Sequence, residues 1–153
     1  MFKIGVIGYG YWGPNVVRNF SSIDGVEVVS LCDRDAHALK RAKKNYPHLK
    51  VFTDYPDIIQ AKDIDAVAIV TPVSSHFELA KRALLSGKHI FVEKPFTAKS
   101  SQAEELIELA EKKKLKIMVD HTFLFTGAVK KIKELIDVGM ILASELAVRL
   151  LDV

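Results

Sequence analysis

The chain has 153 residues, of which 49% are apolar and 27% charged, and a formal net charge of +3. That composition suits one ordinary domain with a full core, and the charge is too mild and too scattered for a nucleic-acid footprint. No apolar run approaches the roughly 18 residues of a membrane span, and the glycine-interrupted N-terminus does not have the form of a signal peptide. Cys32 is the single cysteine. It can form no intrachain disulfide, which suits a reducing cytoplasm, and it is expected to be a small core residue rather than a reactive thiol.

In chain order, residues 4–7 predict an apolar first strand. Gly8-Tyr9-Gly10-Tyr11-Trp12-Gly13 predicts a glycine turn, and Val16, Val17 and Phe20 give the next segment the apolar face of a helix, with Pro14 in its first turn. Val26–Cys32 is a valine-rich second strand, and Ala38, Leu39 and Ala42 mark a helix that stops at Tyr46-Pro47. A short strand follows at Val51 and Phe52, then a brief helix over residues 55–60 with Asp54 as its cap. Residues 65–70 form a fourth buried strand, stopped by Thr71-Pro72. Ser74 or Ser75 is expected to cap a helix through Leu85, with Gly87 as its C-terminal stop.

His89–Val92 is the fifth strand. The helix after it, capped by Ser100 or Ser101, carries Glu104, Glu105 and Glu108 early and a lysine run late, as the helix dipole favours. Residues 116–119 form a sixth strand. Residues 120–125 then turn aromatic and polar, and a last helix, with Val129, Ile132, Leu135 and Ile136 facing inward, ends at Gly139. Apolar, strand-like residues 142–153 follow. Strands alternating with helices, the strands apolar throughout, argue for an α/β fold with a doubly wound parallel sheet.

Gly8, Gly10 and Gly13 make a G-x-G-x-x-G between a strand and a helix, with the acidic Asp33 about 20 positions further on, the context in which that pattern binds a dinucleotide. Gly8 serves the turn, Gly10 the approach of backbone to pyrophosphate, and Gly13 the packing of helix on sheet. Asp33 can accept from both hydroxyls of an adenosine ribose and would repel a 2′-phosphate, which favours NAD. Arg34 leaves NADP open, since a guanidinium can accommodate that phosphate or stack on adenine. Alternatively Asp33 caps the next helix, a task Asp35 can also perform. Thr71, Pro72 and His76 follow the fourth strand, where ligands bind an open α/β sheet, although an isolated histidine such as His76 is as readily structural.

Glu93-Lys94-Pro95 puts two charges at the carboxyl end of the fifth strand. A lysine there can take the proton of a substrate hydroxyl, or donate one to a carbonyl in the reverse direction, while Glu93 holds the lysine or a ribose hydroxyl. A plain surface ion pair is the alternative. His121, after the sixth strand, can reach a substrate or be structural.

The glycine loop from Gly8 to Gly13, Asp33, Thr71-Pro72 with His76, and Glu93-Lys94-Pro95 together resemble the Gfo/Idh/MocA oxidoreductases, the glucose-fructose oxidoreductase and inositol dehydrogenase-like family. The resemblance covers residues 1 to about 139 and implies a Rossmann domain that binds NAD(P). It implies Lys94 as the active-site lysine, Glu93 near the nicotinamide ribose, and Gly8, Gly10, Tyr11, Trp12 and Gly13 in the dinucleotide loop. Asp33 would hold the adenosine ribose, and Arg34, Thr71, Pro72 and His76 are the further cofactor-binding candidates. Metal ligands are not expected.

Residues 120–125 and the following helix resemble members acting on sugars or nucleotide-sugars. The family continues into a substrate domain, of which residues 140–153 would be the start or a divergent tail. Here Gly139-Met140-Ile141-Leu142 stands where the family has Gly-Glu-Ile-Gly. The expected function is hydride transfer between nicotinamide and a sugar, nucleotide-sugar or polyol hydroxyl carbon, by a cytoplasmic homo-oligomer that binds neither nucleic acid nor membrane. The alternative is a non-catalytic dinucleotide-binding or assembly module. A methyltransferase would also use a glycine loop and an acidic residue, but leaves Glu93-Lys94 without a role.

Overall fold

The computed structural model describes residues 1–140. The strand-like tail predicted over residues 142–153 lies outside them. The chain divides into two compact units, Met1–Asp120 and His121–Val153.

The first unit carries six strands: β1 Phe2–Ile7, β2 Val26–Cys32, β3 Lys50–Phe52, β4 Ala66–Ile69, β5 His89–Val92 and β6 Ile117–Val119. Between them run α1 Gly13–Ser21, α2 Ala36–Asn45, α3 Pro56–Gln60, α4 His76–Leu85 and α5 Ser100–Lys113. Every pairing is parallel, in the order β3-β2-β1-β4-β5-β6. The winding direction therefore reverses between β1 and β4, which opens a crevice at the carboxyl ends of those two strands.

Side-chain alternation explains why the strands read as continuous apolar runs. On β4, Val67 and Ile69 join one core layer while Ala66 and Ala68 join the other. The first layer packs Ile58, Leu84 and Leu106 from α3, α4 and α5; the second packs Val17 and Leu39 from α1 and α2. Both faces are covered, as a parallel sheet requires. Each fully buried leucine, such as Leu31 or Leu84, contributes about 2 kcal/mol by leaving water. Tyr9, inside the glycine turn, is also buried in the second layer.

The helix stops are as the sequence predicts. Gly87 has φ +77°, and backbone N–H groups of Gly87 and Lys88 donate to Leu84 O and Ala83 O. Gly139 ends the last helix the same way, donating to Ile136 O. The helix starts differ. Ser75 precedes α4 without capping it: its hydroxyl turns back to donate to Pro72 O at 2.8 Å, because residues 73–75 form a 3-10 turn. Ser100 lies inside α5, Lys99 precedes it, and no side chain caps it. Asp54 accepts from the N–H of Tyr55, one residue before α3, and does not cap it.

In the second unit a 3-10 turn, Thr122–Phe125, leads into α6, Gly127–Asp137. Val129, Ile132, Leu135 and Ile136 are the half-buried residues of α6, as their spacing predicts, but no residue of α6 is fully buried.

Candidate functional site

The glycine turn is shaped by backbone crowding. Gly8 has φ +103°, and a Cβ there would stand 2.3 Å from the carbonyl oxygen of Val70 at the end of β4. A Cβ on Gly13 would stand 2.6 Å from the oxygen of Gly8, so the start of α1 is drawn tight against the turn. Gly10 faces open space, with nothing within 4 Å of a built Cβ. No side chain caps the first turn of α1. Pro14 has no N–H, and the N–H groups of Asn15 and Val16 close on Trp12 O, so it is the positive dipole end of α1, beside the glycine turn, that suits a phosphate.

Asp33 is held at this turn. Its Oδ2 accepts from the Tyr9 N–H at 2.5 Å and its Oδ1 from the Asp35 N–H at 2.8 Å. A carboxylate has about four acceptor sites, so capacity remains for ribose hydroxyls. The cap of α2 is Asp35, not Asp33: its carboxylate accepts from the His37 N–H.

These elements enclose a cavity of about 610 Å³ across the carboxyl ends of β1 to β4. Of the residues expected at a cofactor, Gly8, Gly10, Asp33, Arg34, Thr71 and Pro72 line it. So do Asp54, Tyr55, Ser75 and Glu78, which the sequence analysis did not assign to the site. The end of β3 obeys the same rule as the ends of β2 and β4, and that signal would have found Asp54 and Tyr55. Three carboxylates, Asp33, Asp54 and Glu78, stand against the single guanidinium of Arg34. Cys32 lies on the cavity floor, and burial pushes its thiol up to about 11, helped by the charge of Asp33. It stays protonated and unreactive at neutral pH.

A second group lies at the ends of β5 and β6, outside the cavity lining. Lys94 is exposed, and its backbone N–H donates to Glu93 Oε2 at 3.1 Å. Asp120, directly after β6, accepts from the indole Nε1 of Trp12 at 3.3 Å. Tyr11 is 94% exposed and stacks on Trp12. His76 is 1% exposed. Its Nδ1 lies 3.0 Å from Pro95 O and its Nε2 2.7 Å from Thr71 O, so the ring ties the turn after β4 to the turn after β5. Among the described residues no three His, Cys, Asp or Glu side chains converge as metal ligands would.

Residues 2–121 match the family model described as "Oxidoreductase family, NAD-binding Rossmann fold", that of Gfo/Idh/MocA. The inositol 2-dehydrogenase of Salmonella typhimurium is 34% identical over 143 residues, which is 91% of this chain and 42% of that protein. A glycosyl hydrolase family 109 protein of Streptomyces niveus is 37% identical over 119 residues, 72% of this chain and 24% of that protein. Among solved structures, scyllo-inositol dehydrogenase from Lactobacillus casei with bound NAD(H) and scyllo-inositol has a TM-score of 0.83 at 31% identity, over 92% of this chain and 42% of that one. A 3-ketoreductase from Actinomadura kijaniata, in complex with NADP and TDP-benzene, has a TM-score of 0.82 at 28% identity, over 92% of this chain and 43% of that one. The chain thus spans between a quarter and about two-fifths of the length of these curated relatives. With its glycine turn, its held aspartate and its strand order, the chain belongs to the Gfo/Idh/MocA oxidoreductases and carries their NAD-binding Rossmann fold.

Proposed function

We propose that this chain seats NAD for an oxidoreductase acting on a hydroxyl carbon of a sugar, nucleotide-sugar or polyol. The observation that carries the reading is the cavity at the switch point, with Asp33 fixed by two backbone N–H groups at its rim. Gly8, Gly10 and the start of α1 would take the pyrophosphate, and Asp33 the adenosine ribose. Tyr11, Trp12 and Gly13 complete the loop. Thr71 and Pro72 would lie along the cofactor. His76 would support that seat indirectly by tying the two turns, since both its ring nitrogens are engaged.

NAD over NADP is favoured by charge: Asp33, Asp54 and Glu78 outnumber Arg34 in the cavity lining, so a 2′-phosphate would enter a net negative site. The bound nicotinamide supplies hydride acceptance. Lys94, exposed at the end of β5, is suited to take the proton of the substrate hydroxyl at Nζ or to return it to a carbonyl. Glu93 orients the lysine turn through its bond to the Lys94 N–H. The inositol 2-dehydrogenase relative and the solved dehydrogenase with bound scyllo-inositol support a polyhydroxylated substrate. A reducing cytoplasm, suited to one buried thiol, belongs to the same reading.

Calorimetry with NAD, NADH and NADP tests it. NAD and NADH should bind, NADP should bind at least about tenfold more weakly, and Asp33→Ala should narrow that difference. Failure of all three to bind at millimolar concentration overturns the reading. An assembly role is the second reading, favoured by the exposed Phe123, Leu124 and Phe125. Sedimentation showing a dimer that Phe123→Ser dissociates would support it, and a monomer at high concentration would remove it.

A further inference from the structure

The carboxyl group of Glu93 presents an unusual balance. Its Oε2 accepts from the Lys94 N–H. Its Oε1 is fully enclosed, and no N–H or O–H of the described residues reaches it. Facing it is Asp120, which extends the parallel register of β5 and β6 by one residue past Val92 and Val119. Asp120 is itself an acceptor, already engaged by the Trp12 indole. Two carboxylates that meet in this way favour a shared proton, because each negative charge disfavours the other.

We propose that Glu93 and Asp120 form a pair sharing one proton, which holds the glycine loop through Trp12 and makes binding of the oxidised dinucleotide release that proton. Burial, then the hydrogen bond and charge of Asp120, push the Glu93 carboxyl up to about 7, against the pull of Lys94. The pair therefore stands at the edge of ionisation under ordinary conditions. The charged groups that face Glu93 are Asp120 from the end of β6 and Lys94 from its own turn. The glycine loop contributes the uncharged indole of Trp12, and α4 contributes His76, which meets the same turn at Pro95 O.

The link to redox state follows from charge. The inference rests on the dinucleotide reading above. A dinucleotide crossing the switch point would have one half in the cavity over β1 to β4 and the other toward β5. The oxidised nicotinamide ring is a cation and the reduced ring is neutral. A cation approaching the pair favours its dianionic form and lowers its proton affinity, whereas a neutral ring does not. Asp120 and Glu93 are thus positioning residues that discriminate NAD from NADH by charge, and Trp12 reports their state.

The test uses the whole 153-residue chain and its single tryptophan. NAD affinity should rise about tenfold from about pH 5.5 to about pH 8, while NADH affinity changes less than about twofold, a difference equal to one unit of pKa displacement. Calorimetry in two buffers of different ionisation enthalpy should show NAD binding releasing about half a proton near pH 7, and NADH binding releasing none. Glu93→Gln should abolish the pH dependence, and Asp120→Asn should move it to lower pH; a purely structural role would weaken binding equally at every pH. Without ligand, Trp12 fluorescence should titrate near neutrality and lose that transition in Glu93→Gln. Parallel pH profiles for NAD and NADH, or an unchanged profile in folded Glu93→Gln, would overturn the inference and leave the cofactor seat intact. Absence of any binding would overturn the seat itself. Should the variants fail to fold, proton release by the natural chain decides alone.

Discussion

Half-buried Glu93 and buried Lys88 set the clearest expectations at the scale of single residues. Glu93 has its carboxyl raised from 4.5 to about 7 in the folded chain, so the folded state holds a proton that the unfolded chain releases at lower pH. The sign follows: this group costs stability progressively as pH rises from about 4.5 through about 7, and the cost is constant above that. Glu93→Gln should therefore melt near the natural chain at pH 4 and clearly above it at pH 8, by calorimetric scanning. Lys88 is the second group. It is buried, and its Nζ donates to Ala61 O at 2.6 Å and Ile64 O at 2.7 Å, tying the loop before β4 to the start of β5. Lys88→Met keeps the stem and leaves two carbonyls without a donor. A loss of about 2 kcal/mol in urea denaturation is expected. Neither role was legible in the sequence: nothing local marks Lys88, and Asp120 reads there as part of an aromatic and polar stretch. Each depends on which loops the fold brings alongside.

The glycine turn governs at the scale of elements. Gly8→Ala would place a methyl group 2.3 Å from backbone at Val70, at a φ of +103°, and backbone there cannot withdraw without breaking the β1–β4 pairing. The expected cost is about 3 kcal/mol, read as a fall in the urea midpoint. Gly10→Ala meets nothing and should leave stability within about 0.5 kcal/mol, while weakening NAD, because the added methyl occupies space that the pyrophosphate needs. Comparing the two separates folding from binding within one loop.

Helix stops were legible and helix starts were less so, for a local reason. A glycine at positive φ ends a helix whatever surrounds it, as Gly87 and Gly139 do. A serine caps only if its Oγ is turned toward an N–H of the first helical turn, and that of Ser75 is turned back instead, donating to Pro72 O with Thr71 Oγ1 2.7 Å away.

Considering the whole molecule, the buried core lies within the first unit: among the described residues, none beyond Ala110 is fully buried. A chain ending at Asp120 should keep the sheet, the Trp12–Asp120 bond and the cofactor seat. Its melting temperature should fall within a few degrees of the full chain, and its NADH affinity within about twofold. Loss of cooperative melting on removing residues 121–153 would show that the second unit is needed for the first to fold.

The sequence by itself determined the strand and helix succession, the glycine turn, Asp33 as its partner, and a lysine at the end of the fifth strand. These are local facts: apolar periodicity, glycine sterics and spacing act within a few residues of one another. It determined the family too, because those residues recur together in one chain. The strand order β3-β2-β1-β4-β5-β6 was decided by tertiary packing, since alternation of strands and helices is compatible with more than one order. Packing also enclosed His76 between Thr71 and Pro95, put Tyr9 in the core, and set Asp54 and Glu78 in the cavity lining. Above all it brought Glu93, Asp120 and Trp12 to one place. Their separation along the chain is closed only when β5 and β6 pair and α1 packs on the sheet, and the proton proposed for Glu93 and Asp120 belongs to that arrangement rather than to either carboxyl alone.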